Sequence, residues 1–351
     1  MSRVELGFGL ITCQRFPGES RPDAELIQDA LDLAERADRL GLASVWVSEH
    51  HFVDDAYLPA PLPLCAAIAA RTLRIAIGTG LLLAPLHEAV RLAEDAAVVD
   101  GVSRGRLILG LGLGWRAEEF DGLGIPLGQR GRRLEDTVAT LRQAWEGGPV
   151  TGGAQIRYPQ LLVRPLPARP GGPPIWIGAM AEVAVRRAGR IAQGFMATEV
   201  TPMGLAEQVG WALEARERAG ADLSDFTVSM HAPVFAWEGP GARALVGPHH
   251  RYVAWKYDDM EGRRYGQEPD AASRPLRRPG PGAGSDADLI VGSPEAVAER
   301  IQEFADAISG QVARPLHFIA RAYWPGMDPA VQRESLRLLG ERVAPLLRAV
   351  S

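Results

Sequence analysis

Glu49, His50 and His51 stand in a row at the end of an apolar run, SVWVSEHHF (44–52). An unperturbed imidazole titrates near ~6.5, so it can give or take a proton at neutral pH. If the run is a buried strand, successive side chains point to opposite faces and the three cannot share one pocket. His50 is expected to face a reaction cavity, with Glu49 and His51 holding backbone or neighbouring groups. The same divergence argues against a metal site, and an H-E-x-x-H spacing is absent. Cys13 and Cys65 lie far apart and outside any C-x-x-C pattern, which argues against a disulfide scaffold and a structural zinc centre.

Such residues need a scaffold, and the chain alternates short apolar runs with long amphipathic ones. Strands are expected at 4–11, 43–48, 73–83, 105–114, 173–179, 194–200, 226–237 and 315–323. Helices are expected at 23–40, from the prolines near 60 to Ala70, and at 86–100, 134–145, 182–192, 203–219, 293–308 and 328–347. Ser293 followed by Pro294 reads as a helix start. Residues 147–174 break the rhythm, with a possible hairpin at QIRYPQLLV. About eight β/α units in 351 residues predict one (β/α)8 TIM-barrel domain spanning 1–351, with insertions. A doubly wound open sheet usually has fewer strands.

In such a barrel, chemistry sits where the strands end. Those ends carry Glu49, His50 and His51, then Thr79, Gly80 and Leu81, then Gly112, Gly114 and Trp115, then Gly178 and Ala179, with Tyr323 and Trp324 last. Glycines let a flat ligand approach the backbone, and a helix opening after Gly178-Ala179 offers free N–H groups to a phosphate. Phe8, Trp115, Trp324, Tyr252 and Trp255 are expected to line a substrate pocket. The long polar stretch 239–288 is expected to be an insertion closing over the site as a mobile lid. GLGWRA (112–117) fits G-x-G-x-x-A, but it follows a fourth strand rather than opening the first βαβ unit.

The stretches GLASVWVSEHHF, RIAIGTGLLLAPLHEAVRLAEDAAVVDGVSRGRLILGLGLGWRAEEFDGLG, PPIWIGA, IVGSPEAVAERI and WPGMD together resemble the bacterial luciferase-like flavin-dependent monooxygenases. The resemblance covers nearly the whole chain. It implies a barrel that binds reduced FMN, or the deazaflavin F420 in sister groups, with His50 as acid/base. It also implies a non-prolyl cis peptide at Gly80-Leu81 beneath the ring. Glu49, Thr79, Gly80, Leu81, Gly112, Gly114, Trp115, Gly178, Ala179, Met180 and Ala181 would surround the cofactor. Where relatives bond the phosphate through a serine, this chain has Met180-Ala181, and Leu113 stands where some luciferases have an arginine. Arg130, Arg132 and Arg133 read as a solvated helix start.

The implied activity is monooxygenation, with O2 activated as a flavin C4a-hydroperoxide that oxidises an organic substrate. A separate reductase would supply the reduced FMN. F420-dependent hydride transfer and a non-catalytic subunit are the alternatives, and E-H-H favours FMN and catalysis. A homodimer is expected. A net charge of −5 and a pI of about 5.9 give no pull toward nucleic acid or anionic membrane. The apolar run 58–70 is short and carries three prolines, so no membrane span is expected. Without a basic leader the expected location is cytoplasmic.

Overall fold

The computed structural model describes residues 3–198, 200–264 and 288–348, with 261–264 as backbone only. Eight parallel strands close into a barrel: β1 Val4–Ile11, β2 Ser44–Val47, β3 Ala76–Thr79, β4 Leu107–Gly112, β5 Ile175–Gly178, β6 Gly194–Thr198, β7 Thr227–Ala236 and β8 Leu316–Arg321. Closure is between β1 and β8, in register from Val4 opposite Leu316 to Gly9 opposite Arg321. The strands are apolar on both faces because helices cover the outside. The fold is a (β/α)8 TIM barrel with additional strands. Leu82–Leu83 pairs with β4 and Ile290–Gly292 with β7; the hairpin expected within QIRYPQLLV lies earlier, Val150–Gly152 pairing with Arg157–Leu161, so that stretch supplies only its second strand.

The barrel interior is filled by two indoles. Trp46 and Trp176 stack with ring centroids 5.3 Å apart, and His317 meets both edge-on. The Trp46 indole N–H donates to Ser44 Oγ (2.7 Å), which also meets His317 Nε2 at 2.6 Å. Glycines on neighbouring strands clear the space: a Cβ on Gly78 would lie 2.3 Å from the Trp46 ring, and one on Gly194 2.5 Å from that of Trp176. Gly78→Ala is therefore expected to destabilise the barrel by about 1–3 kcal/mol through overpacking, read as a lower urea midpoint at unchanged slope.

Several boundaries differ from expectation for visible reasons. The third strand ends at Thr79, just before the cis peptide Gly80-Leu81, and a second non-prolyl cis bond, Gly9-Leu10, lies within β1, whose register with β2 shifts between Phe8 and Ile11. The helix expected at 86 starts at Ala89, because Pro85 sits in a 3-10 turn and the Glu88 side chain accepts from Arg91 N–H. The helix expected at 134 already begins at Arg130. The polar stretch 239–288 is no loop over its first half: Ala242–Arg264 is a helix with Pro248 inside it. The rest of the expected lid, 265–287, lies outside the described residues. No described helix is long and apolar enough to cross a membrane.

Candidate active site

His50, just past β2, is 5% exposed, and its Nδ1 lies 2.8 Å from Oε1 of Glu119. Glu119 is fully buried on the short helix Ala117–Gly122, which follows β4. The same Oε1 accepts the His51 backbone N–H at 2.9 Å. An ionised carboxylate only accepts, so Nδ1 of His50 carries the hydrogen and Nε2 is left with its lone pair. Three rings surround the imidazole edge-on: Tyr57 at 4.8 Å, Tyr257 at 5.7 Å and Trp115 at 5.8 Å. Arg116, 2% exposed, holds the turn by donating to the carbonyls of His51 and Phe52. Within that turn Phe52 and Ala56 have φ of 54° and 61°, left-handed backbone that surrounding contacts must impose.

Glu49 faces away from His50, as strand alternation requires. Its Oε1 accepts from Nε2 of both His51 and His87, each at 2.8 Å, and its Oε2 accepts the Leu83 N–H at 2.6 Å. Burial raises a carboxyl pKa, but these hydrogen bonds outweigh it and hold Glu49 down at about 2. The bond to Glu49 raises the pKa of His51, against the opposing effect of its burial. The acid therefore ties β2 to the segment after the cis peptide, and its acceptor sites are taken up by protein groups.

Of the other residues singled out, Thr79 is buried and donates to the Gly110 carbonyl at 2.7 Å. Leu81 lies across the floor of the mouth, where a Cβ on Gly112 or Gly178 would come 3.0 or 2.2 Å from it. Gly114 has φ of 69°, next to the Phe120 ring. The Ala179 N–H is spent on the Met196 carbonyl, Met180 is exposed, and Ala181 precedes the helix Glu182–Ile191 without a side-chain cap. Arg133 donates to the Pro85 carbonyl and Arg130 to that of Leu127.

Two expected lining residues are elsewhere. Phe8 points outward from β1 into the core between barrel and helices, because the inward positions on either side, Gly7 and Gly9, are the ones that meet Trp46. Trp324 packs with Phe235, Val246, Leu289 and Met327 in a separate cluster. Tyr252 and Trp255 stack on each other at 6.2 Å, and the Tyr252 hydroxyl is engaged with the Arg15 carbonyl and Asp55, each at 2.8 Å.

Sequence reasoning missed Glu119, Tyr57 and Arg321. The spacing W-x-x-x-E after the glycine-rich end of β4 was a visible signal for Glu119; nothing local marked the others. The Tyr257 hydroxyl meets that of Tyr57 at 2.9 Å, and the Arg321 guanidinium lies 5.1 Å over the Tyr257 ring. Beyond Arg321 a cavity of about 570 Å3 opens between the ends of β6 and β7 and the helix Pro294–Ala307. His231 in its wall is desolvated and sits beside Arg321, which together push its pKa down to about 3, so its imidazole is neutral.

Residues 6–309 match the luciferase-like monooxygenase family. The chain is 30% identical over 346 residues to an F420-dependent glucose-6-phosphate dehydrogenase of Nakamurella multipartita, covering 91% of this chain and 92% of that one. It is 28% identical over 174 residues to the oxygenase component of a flavin-dependent trigonelline monooxygenase of Acinetobacter baylyi, 49% of this chain and about half (48%) of that relative's length. The crystal structure of the monooxygenase RslO1 from Streptomyces bottropensis superposes with a TM-score of 0.80 at 22% identity, over 97% of this chain and 99% of that one, which shows the shared fold. Named relatives are thus oxidoreductases of both flavin and F420 type, and the chain belongs to the luciferase-like monooxygenase family.

Proposed function

We propose that the chain is the oxygenase of a two-component monooxygenase, taking reduced FMN from a separate reductase and using O2 to oxidise an organic substrate. The observation that carries this reading is the buried His50–Glu119 pair at the barrel mouth. Glu119 fixes the ring and its tautomer, which leaves Nε2 as a proton acceptor, or as a donor once protonated.

The residues present fit a flavin. Leu81 and the bare backbone of Gly112 and Gly178 form a flat apolar floor, and the uncapped start of Glu182–Ile191 offers N–H groups to a phosphate. When bound, the reduced flavin supplies the electrons for O2 chemistry. The protein's part is to keep the site dry and to handle protons. Trp115, Tyr57 and Tyr257 wall in His50, and the helix Ala242–Arg264 serves as a roof. Tyr252 and Lys256 fasten that roof to Asp55 and Asp54.

F420-dependent hydride transfer is the second reading, favoured by the near full-length similarity to the Nakamurella dehydrogenase. Titrating the purified protein anaerobically with reduced FMN and with reduced F420 separates the two. We expect micromolar binding of FMN, and substrate-dependent oxygen uptake when a flavin reductase and NADH are added. Binding of F420 without FMN would transfer the assignment to hydride transfer.

A further inference from the structure

We infer that the organic substrate carries a carboxylate, received by the Arg321 guanidinium at the end of β8; this deepens the proposed oxidation at the same mouth and rests on it. Arg321 lies two residues beyond Ile319, which packs in the barrel interior, so alternation turns it inward at the top of the barrel. It lines the cavity of about 570 Å3, a size usual for small-molecule sites.

Among the described residues Arg321 makes no salt bridge. The acid in the cavity wall, Asp288, directs its Oδ1 toward Nε2 of His250 at 3.6 Å and feels Arg321 only through its field. The cavity's other basic residues do not stand in for it: Arg300 is bonded to Glu303, and Arg243 is exposed at the rim. His231 stays neutral at physiological pH and adds no competing charge.

A guanidinium over an aromatic ring in a cavity wall, with no salt bridge among the described residues, can present its fork of N–H groups to a planar anion. One cation matches a monoanion better than a phosphate dianion. The Thr198 hydroxyl at the end of β6 is available to the same group. Tyr257 links this seat to the chemistry, lying under Arg321 and 5.7 Å from His50. A substrate anchored at Arg321 would therefore lay its body along Tyr257 toward His50.

The test is calorimetric binding of benzoate, cyclohexanecarboxylate and octanoate, each against its neutral amide, to the wild-type protein, Arg321→Gln and Arg321→Lys. At least one acid is expected to bind wild type about 10- to 100-fold more tightly than its amide. Arg321→Gln should erase that preference, and Arg321→Lys should retain part of it, because a point charge replaces the fork. The inference is overturned if no acid outbinds its amide, if the preference survives Arg321→Gln, or if phenyl phosphate outbinds every acid. Reduced-FMN titration of the same variants separates the two claims. Wild type that discriminates acids but ignores FMN would sink the oxygenase reading alone. Loss of FMN on Arg321→Gln without any acid preference in wild type would assign Arg321 to the cofactor and overturn the inference alone.

Discussion

His50→Gln is expected to lower kcat by about 10^2- to 10^4-fold, the usual contribution of a positioned acid/base, while leaving the urea midpoint near that of wild type. Glutamine can still meet Glu119 but cannot exchange a proton near neutral pH. Glu119→Gln should cost less, about 10- to 100-fold. It keeps a side chain of the same shape but replaces the acceptor that holds Nδ1–H in place. Steady-state rates of the two variants, each beside its urea midpoint, check this order. Full activity in His50→Gln would remove His50 from the mechanism.

The second large effect concerns stability. Glu49 accepts from His51, His87 and the Leu83 N–H while almost fully buried. A carboxyl whose pKa falls from 4.5 to about 2 on folding is coupled to its surroundings by roughly 3 kcal/mol. Glu49→Gln is expected to lose about that much at neutral pH, because the amide brings donors to where two imidazoles and a backbone N–H already donate. The signs with pH follow from the two shifts. The depressed Glu49 contributes fully above pH ~4.5 and loses its contribution as pH falls toward 2. The raised His51 contributes fully below pH ~6.5 and loses its contribution as pH rises through its folded value. The cluster is thus strongest between roughly pH 4.5 and 6.5. Urea unfolding across pH should show that maximum in wild type and a flattened acid limb in Glu49→Gln; equal midpoints for the two proteins would refute the assignment.

The barrel was legible because its strands are continuous apolar runs separated by amphipathic helices, a pattern each segment carries by itself. The division of labour at E-H-H followed from alternation alone, and the structure separates Glu49 from His50 accordingly. Phe8 was misplaced because the same rule was not applied to β1, where the flanking glycines mark the inward face. The helix Ala242–Arg264 was misread as a loop because it has no apolar stripe and has Gly247-Pro248 inside it. Its ties to the turn after the histidines are polar: Tyr252 to Asp55, Lys256 to Asp54 and Tyr257 to Tyr57. Such pairings join positions about 200 residues apart, and no local pattern announces them. Glu119 and Arg321 stayed hidden for the same reason: their meaning depends on what the closed barrel brings beside them.

The fastening of that helix also bears on how such a protein can diversify. Three of its ties, from Tyr252, Lys256 and Tyr257, land on one short turn, residues 54–57, which follows the histidines. Within the cavity wall, Arg321 lies over the Tyr257 ring and Asp288 faces His250, whereas Thr198, Val200 and Phe304 are not among the tied residues. A lineage can therefore exchange guest-facing residues of the latter kind, and with them the molecules it accepts, while the anchored edge keeps His50 in place.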